Sequence, residues 1–220
     1  MISVAPKISV IITAHNEERF IGRCLRSIIN QTLWTLDYEV IVVNDASSDK
    51  TGYALELFGN SVTVINNETN LGLPASINRG IKSASGHYIV RLDADDYVNV
   101  NYLKFLSFFL DSNEEYDAVA CDYILVDDSE KVLERCDASQ KPIGCGIMFK
   151  REHLLDLGLY DESFWVHEDK DLRLRFEKVY KVGHLNLPLY RYRKHSKNMT
   201  NDTDLMTQHE SRLNRKHHQT

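Results

Sequence analysis

Residues 87–97 read HYIVRLDADDY, and this stretch decides how the chain is organised. Residues 88–92 form a largely apolar run that predicts a buried strand, and three carboxylates, Asp93, Asp95 and Asp96, follow it at once. Acidic side chains crowded at a strand end repel one another and resist desolvation, so they imply a cation facing them. Oxygen-only donors point to a hard metal, Mg²⁺ or Mn²⁺, of the kind that holds a diphosphate. A phosphate-handling enzyme is expected.

The D-x-D pattern alone carries little weight. With 18 Asp in 220 residues, roughly one or two matches arise by chance, and three occur, at Asp93/Asp95, Asp169/Asp171 and Asp202/Asp204. Only the first closes a strong apolar strand, where open α/β sheets bind their ligands.

Working outward, residues 8–12 (ISVII) predict a strand ending in the polar turn TAHNEE. Phe20, Ile21, Cys24, Leu25, Ile28 and Ile29 recur at helical spacing. Residues 38–43 predict a second strand ending at Asn44-Asp45, after which Ser47 or Ser48 is positioned to cap a helix, with Asp49 in its first turn. A short strand at 62–65, a helix at 75–84 and the 88–92 strand complete an alternating pattern that implies right-handed crossovers and a mostly parallel sheet. The polar clusters at 13–18, 44–49 and 93–96 then fall on one rim. The second half predicts a helix at 101–110, a strand at 118–126 with 130–135 beside it, a helix at 168–178 and a closing strand at 185–192. Gly144-Cys145-Gly146 marks a tight turn or close backbone approach. The expected division is one domain over 1–195, with halves at about 1–97 and 98–195, and a polar tail, loose or helical, over 196–220.

Composition narrows the functions. A hydrophobic content of 43% with 26% charged residues is ordinary for a globular protein. A net charge of −6 and the lack of a basic run interleaved with aromatics argue against nucleic-acid binding. Cys24, Cys121, Cys136 and Cys145 show no zinc-type spacing and read as reduced thiols of a cytoplasmic protein. The leader MISVAPK has no apolar signal-peptide core, and no run is long enough to span a bilayer, so any membrane contact would be peripheral. Neither a dinucleotide-binding nor a P-loop fingerprint is present.

Several residues carry chemistry on this arrangement. Asp45 can accept a hydrogen bond from a nucleobase or ribose, or serve as a turn aspartate. Thr13 and Glu17 can close over the same nucleoside, although Glu17 also suits a helix's first turn. Glu168 and Asp169 open a predicted helix, whose dipole should keep them ionised and fit to act as a general base toward an acceptor hydroxyl. Trp165 suits either a sugar-stacking platform or the core. His195 follows alternating aromatic and basic residues; it can ligate the metal or contact a leaving diphosphate, or belong to a solvated basic edge.

Taken in order, SVIITAHNEE (9–18), VIVVNDASSDKT (40–51), NLGLPASINRGIKSASGHYIVRLDADD (70–96), GIMFKRE (146–152) and YDESFWVHEDKDLRLR (160–175) resemble the family-two glycosyltransferases. The resemblance implies the GT-A fold, an α/β architecture with a Rossmann-like, mostly parallel sheet, helices on both faces and a small antiparallel addition. It implies metal-dependent, inverting transfer of a sugar from a nucleotide-sugar, most commonly a UDP-sugar, to a saccharide or glycolipid acceptor in surface-polysaccharide or glycolipid synthesis. By the same resemblance Thr13, Glu17 and Asp45 hold the nucleoside, Asp93 and Asp95 hold ribose and metal, Asp96 touches donor sugar or acceptor, and Asp169 is the base. The family's Arg-Asn pair before the acidic strand is represented by Ile77-Asn78, with the arginine displaced to Arg79. Asn78 would keep its place by the nucleotide, and Arg91 would stand in for the arginine. A polyprenyl-phosphate sugar synthase shares these motifs but is expected to carry an apolar C-terminal extension, and a non-catalytic nucleotide-sugar-binding domain would not need Asp45, Asp93, Asp95 and Asp169 together.

Overall fold

Strand β1 (Ile8–Ala14) is buried at every position except the half-buried Thr13, because it runs down the middle of the sheet. The computed structural model describes residues 5–35, 37–196 and 198–218, so the first four residues of the leader lie outside it. Parallel neighbours flank β1 on both sides, β2 (Tyr38–Asn44) and β4 (Tyr88–Asp93), and β3 (Thr63–Asn66) extends the parallel block beyond β2. The register sets Thr13 opposite both Val43 and Asp93, and Ala14 opposite Asn44. That pairing brings the three polar strand ends to one rim.

Strand alternation feeds two cores. Val10, Ile12, Val40, Val42, Val90 and Leu92 meet α1 (Ile21–Ile29) and α4 (Tyr102–Ser112) through Cys24, Leu25, Ile28, Leu103 and Leu106. On the other face Ile11, Ile41 and Ile89 meet α3 (Leu73–Ser83), α5 (Arg151–Asp156) and α6 (Glu168–Phe176) through Ile77, Ile81, Leu154, Leu172 and Phe176. The short α2 (Thr51–Glu56) is started by Asp49, whose carboxylate accepts from Thr51 N at 2.9 Å, and neither Ser47 nor Ser48 caps it.

The antiparallel addition joins at β4. Strand β8 (Ile147–Lys150) pairs antiparallel with β4, β6 (Ala118–Val126) pairs antiparallel with β8, and β7 (Val132–Cys136) hangs from β6. Strand β9 (Val182–Arg193) runs parallel to β6, with the register broken opposite Cys121–Tyr123, where Pro188 has no N–H to give. The two-residue β5 (Tyr97–Val98) then pairs with β9 and ties its end to the acidic turn. Strands β5 and β8 and helix α5 were not separable as elements in the sequence. The tail forms a helix, α7 (Thr203–His218), and no helix among the described residues is long and apolar enough to cross a membrane. All four cysteines are buried and free.

The two-core packing predicts that Leu25→Ala, fully buried between α1 and the sheet, lowers the unfolding free energy by about 2–5 kcal/mol in urea titration. Phe108→Ala, on the exposed face of α4, should change it by less than about 0.5 kcal/mol.

Candidate active site

The rim opens into a cleft of about 970 Å³. One wall is the parallel block. Thr13, His15, Asn16 and Glu17 come from the end of β1, Asp45 from the end of β2, and Arg91, Asp93 and Asp95 from β4 and its turn. The other wall carries Trp165, His167, Glu168 and Asp169 at the start of α6, and Tyr192, Lys194 and His195 from the end of β9 close the cleft beside Asp95.

Asp45 organises the first wall. Its Oδ1 accepts from Asn67 Nδ2 at 2.7 Å and Leu71 N at 2.8 Å, and its Oδ2 from Gly72 N at 2.9 Å. A carboxylate offers about four acceptor positions, so most of this one is already spent holding the loop at 67–72. Gly72 sits at φ +86, a conformation glycine adopts without strain. Glu17 precedes α1 in a turn instead of lying in its first turn, with its backbone N–H on Thr51 Oγ1 at 2.8 Å. Arg79 stays outside the cleft and donates to Asn67 Oδ1, one step behind Asp45.

Arg91 is buried and shared. Its Nε and Nη2 donate to Asp93 at 2.7 and 3.2 Å, and its Nη1 donates to Glu168 at 2.8 Å. Burial pushes the Glu168 carboxyl up to about 7, with Asp169 adding to the rise, because the guanidinium that opposes it is divided between two acids. This corrects the expectation that the helix start keeps Glu168 ionised: desolvation outweighs the dipole. Asp169 stands beside it, and a Cβ at Gly144 would collide with that of Asp169. The 3-10 turn at Gly144–Gly146 is therefore the close approach that the two glycines announced. Trp165 is 54% exposed and leans toward Gly72, so it is no core tryptophan.

Asp95 Oδ2 accepts from His195 Nε2 at 2.8 Å and Asn198 Nδ2 at 3.3 Å. Burial and the neighbouring Asp93 raise its pKa, His195 opposing. Carboxylate and imidazole are donor types that suit Mg²⁺ or Mn²⁺, and a divalent cation would relieve the repulsion between Asp93 and Asp95; His195 would have to exchange its bond to Asp95 for the metal. Asp93, Asp96 and Cys145 also lie close together. They suit a hard metal poorly, since the Cys145 thiol is held neutral by burial and Asp96 is already engaged.

Two expected ligand contacts do not reach the cleft. Asp96 is buried and accepts from Tyr190 Oη and Arg193 N, both at 2.7 Å, so it fastens β9 to the acidic turn. Asn78 grips the Tyr160 backbone at 2.9 and 3.0 Å and Glu162 at 2.9 Å, joining α3 to the loop before α6. Sequence reading missed His15, whose Nδ1 donates to the Asp45 carbonyl at 2.6 Å, and Asn16, whose Oδ1 accepts from Ser48 N at 2.8 Å. Asn16 and His167 both adopt left-handed backbone, at φ 58 and 65. An Asn inside the polar turn was the available signal for the first.

The model of glycosyl transferase family 2 matches residues 9–168. The chain belongs to this family. An uncharacterized glycosyltransferase of Haemophilus influenzae is 38% identical over 117 residues, 52% of this chain and 36% of that protein. Another, RT0329 of Rickettsia typhi, is 28% identical over 215 residues, 90% of this chain and 67% of that protein. The chain thus spans about a third of the first relative and two thirds of the second. Among solved structures, Staphylococcus aureus TarS in complex with UDP-GlcNAc superposes with a TM-score of 0.77 at 23% identity, over 90% of this chain and 61% of that one. The mannosyltransferase PcManGT of Pyrobaculum calidifontis, in complex with GDP-Man and Mn²⁺, also gives 0.77, at 20% identity, over 97% and 64%. At these identities the likeness is one of fold, and the fold is GT-A.

The raised Glu168 carboxyl has a signed consequence. A carboxylic acid at about 7 when folded and near 4.5 when unfolded binds more protons in the folded state, so its contribution is complete below about 4.5 and is lost as pH rises through 7. Urea titrations from pH 5 to 8 should show wild type losing up to about 3 kcal/mol relative to Glu168→Gln across that window; parallel curves would contradict the burial effect.

Proposed function

We propose that the cleft transfers a sugar, with inversion, from a nucleotide-sugar to an acceptor hydroxyl, with Asp169 as the general base. The observation that carries this reading is that one cleft is lined by two sets of carboxylates from distant parts of the chain: Asp93 and Asp95 with His195 at the sheet edge, and Asp169 at the start of α6. Family membership and the ligands of the fold neighbours, UDP-GlcNAc for TarS and GDP-Man with Mn²⁺ for PcManGT, support a nucleotide-sugar donor.

On this reading the wall at Thr13, Glu17 and Asp45 receives the nucleoside and Trp165 covers the sugar side. Asp93, Asp95 and His195 would hold Mg²⁺ or Mn²⁺, which when bound neutralises the charge of the departing diphosphate. Asp169 takes the proton of the acceptor hydroxyl as its oxygen bonds to the anomeric carbon and the bond from that carbon to the diphosphate oxygen breaks. Attack opposite the leaving group inverts the centre. Arg91 orients Asp93 and Glu168, and Glu168, bound to Arg91 and raised by burial, is less suited than Asp169 to act as the base. Relatives such as the poly(ribitol-phosphate) beta-N-acetylglucosaminyltransferase TarS, 36% identical over 110 residues, support an acceptor in surface polymer or glycolipid synthesis. Four buried thiols without a disulfide support a reducing, cytoplasmic setting, with any membrane contact peripheral.

The two walls separate by mutation. Asp95→Ala should abolish metal-dependent nucleotide binding in calorimetry. Asp169→Asn should bind the nucleotide within about twofold of wild type yet lose about 10²–10⁴ in transfer rate. Normal turnover by Asp169→Asn would remove it as the base.

A further inference from the structure

Asp171 is fully buried on α6 and is held by three nitrogens: Arg175 of its own helix at 2.9 Å, and Lys216 and His217 of α7 at 2.7 and 2.8 Å. A buried carboxylate requires such partners, and two of the three arrive from the tail. Lys216 also reaches Asp161 at 2.8 Å, and Arg212 donates to the Ser163 carbonyl at 2.8 Å. Between them Phe164 is completely buried, with the Arg212 guanidinium 5.0 Å and the Lys216 ammonium 5.3 Å from its ring. Helix α7 thus grips the loop at 161–167 and the first turns of α6 from behind. On the cleft side the same loop presents Trp165 to Gly72, turns through the left-handed His167 and delivers Asp169. Met206 of α7 lines the cleft itself.

The character of this contact is informative. Leu213 is the one apolar side chain of α7 that is buried among the described residues, beside the buried His209. Leu205 and Met206 are only half-buried and the His209 ring lies 5.9 Å from that of Phe164, so much of the grip is directional hydrogen bonds and ion pairs, which fix geometry. We propose that α7 is a working part of the site, with Arg212, Lys216 and His217 as positioning residues that set where Trp165 and Asp169 stand over a bound donor. The assignment of Asp169 rests on the transfer reading above; the placement of Trp165 does not.

The two tryptophans make the test direct. Trp34 is 76% exposed and remote from the cleft lining, so Trp34→Phe leaves Trp165 as the sole reporter. In that background, Lys216→Met/His217→Gln and, separately, Arg212→Ala should red-shift Trp165 emission and raise its quenching by acrylamide, whereas Lys216→Arg should match the parent. With UDP-GlcNAc or GDP-mannose as donor probe, whichever the parent hydrolyses, kcat should fall about tenfold or more with KM nearly unchanged, since small displacements of reacting groups cost up to about 10²-fold. A helix that only stabilises the domain would lower the unfolding midpoint and leave Trp165 emission and quenching of the folded protein as in the parent. That outcome in both variants overturns the proposal. Turnover by Asp169→Asn, with the Trp165 shifts present, would instead overturn the base assignment and leave the positioning of the loop standing.

Discussion

One buried guanidinium joins the two walls of the cleft. Arg91 and Asp93 share a face of β4 because strand side chains alternate, and Arg91 extends on to Glu168 at the start of α6. Removing its charge would leave two carboxylates facing each other in a poorly solvated space, a far larger penalty than losing a surface ion pair. The parallel register of β4, β1 and β2 places the polar strand ends, and Arg91 carries that placement across to the helix with the candidate base. The sheet edge and α6 are therefore one electrostatic unit, although Arg91 and Glu168 are 77 positions apart in the chain.

Strain collects around the same opening. Asn16 and His167 line the cleft in left-handed backbone, and Ala46, which follows the lining residue Asp45, also has left-handed backbone at φ 53. Residues without a glycine's freedom hold such conformations only where their surroundings over-determine them. At Asn16 the surroundings are Ser48 and Asp49; at His167 they are the two ends of the loop that Asn78 and α7 secure.

The parallel half of the fold was legible because each strand there is a short apolar run ending in polar residues, a pattern that depends only on near neighbours. Within the acidic turn, legibility stopped at single residues. Asp95 and Asp96 are adjacent and chemically alike, yet one faces the cleft and the other is consumed by Tyr190 and Arg193, nearly a hundred residues away. The structural partners of Asn78 are illegible for the same reason: Tyr160 and Glu162 come from the far half of the chain. Strands β5 and β8 are too short to show a period, and β9 hides its pairing behind the bulge at Pro188. Helix α7 left a weak signal, Met206, His209 and Leu213 at helical spacing, within a polar stretch whose composition suits a loose tail as well as a helix.

The central claim is that the rim formed by β1, β2 and β4 is a nucleotide site completed by a divalent cation. Calorimetric titration of wild-type protein with UDP, GDP and dTDP, each in Mn²⁺ and again in EDTA, tests it most directly. The account predicts saturable binding of one nucleotide in Mn²⁺ that disappears in EDTA. Binding of equal strength in EDTA, or no binding of any nucleotide in Mn²⁺, would contradict it.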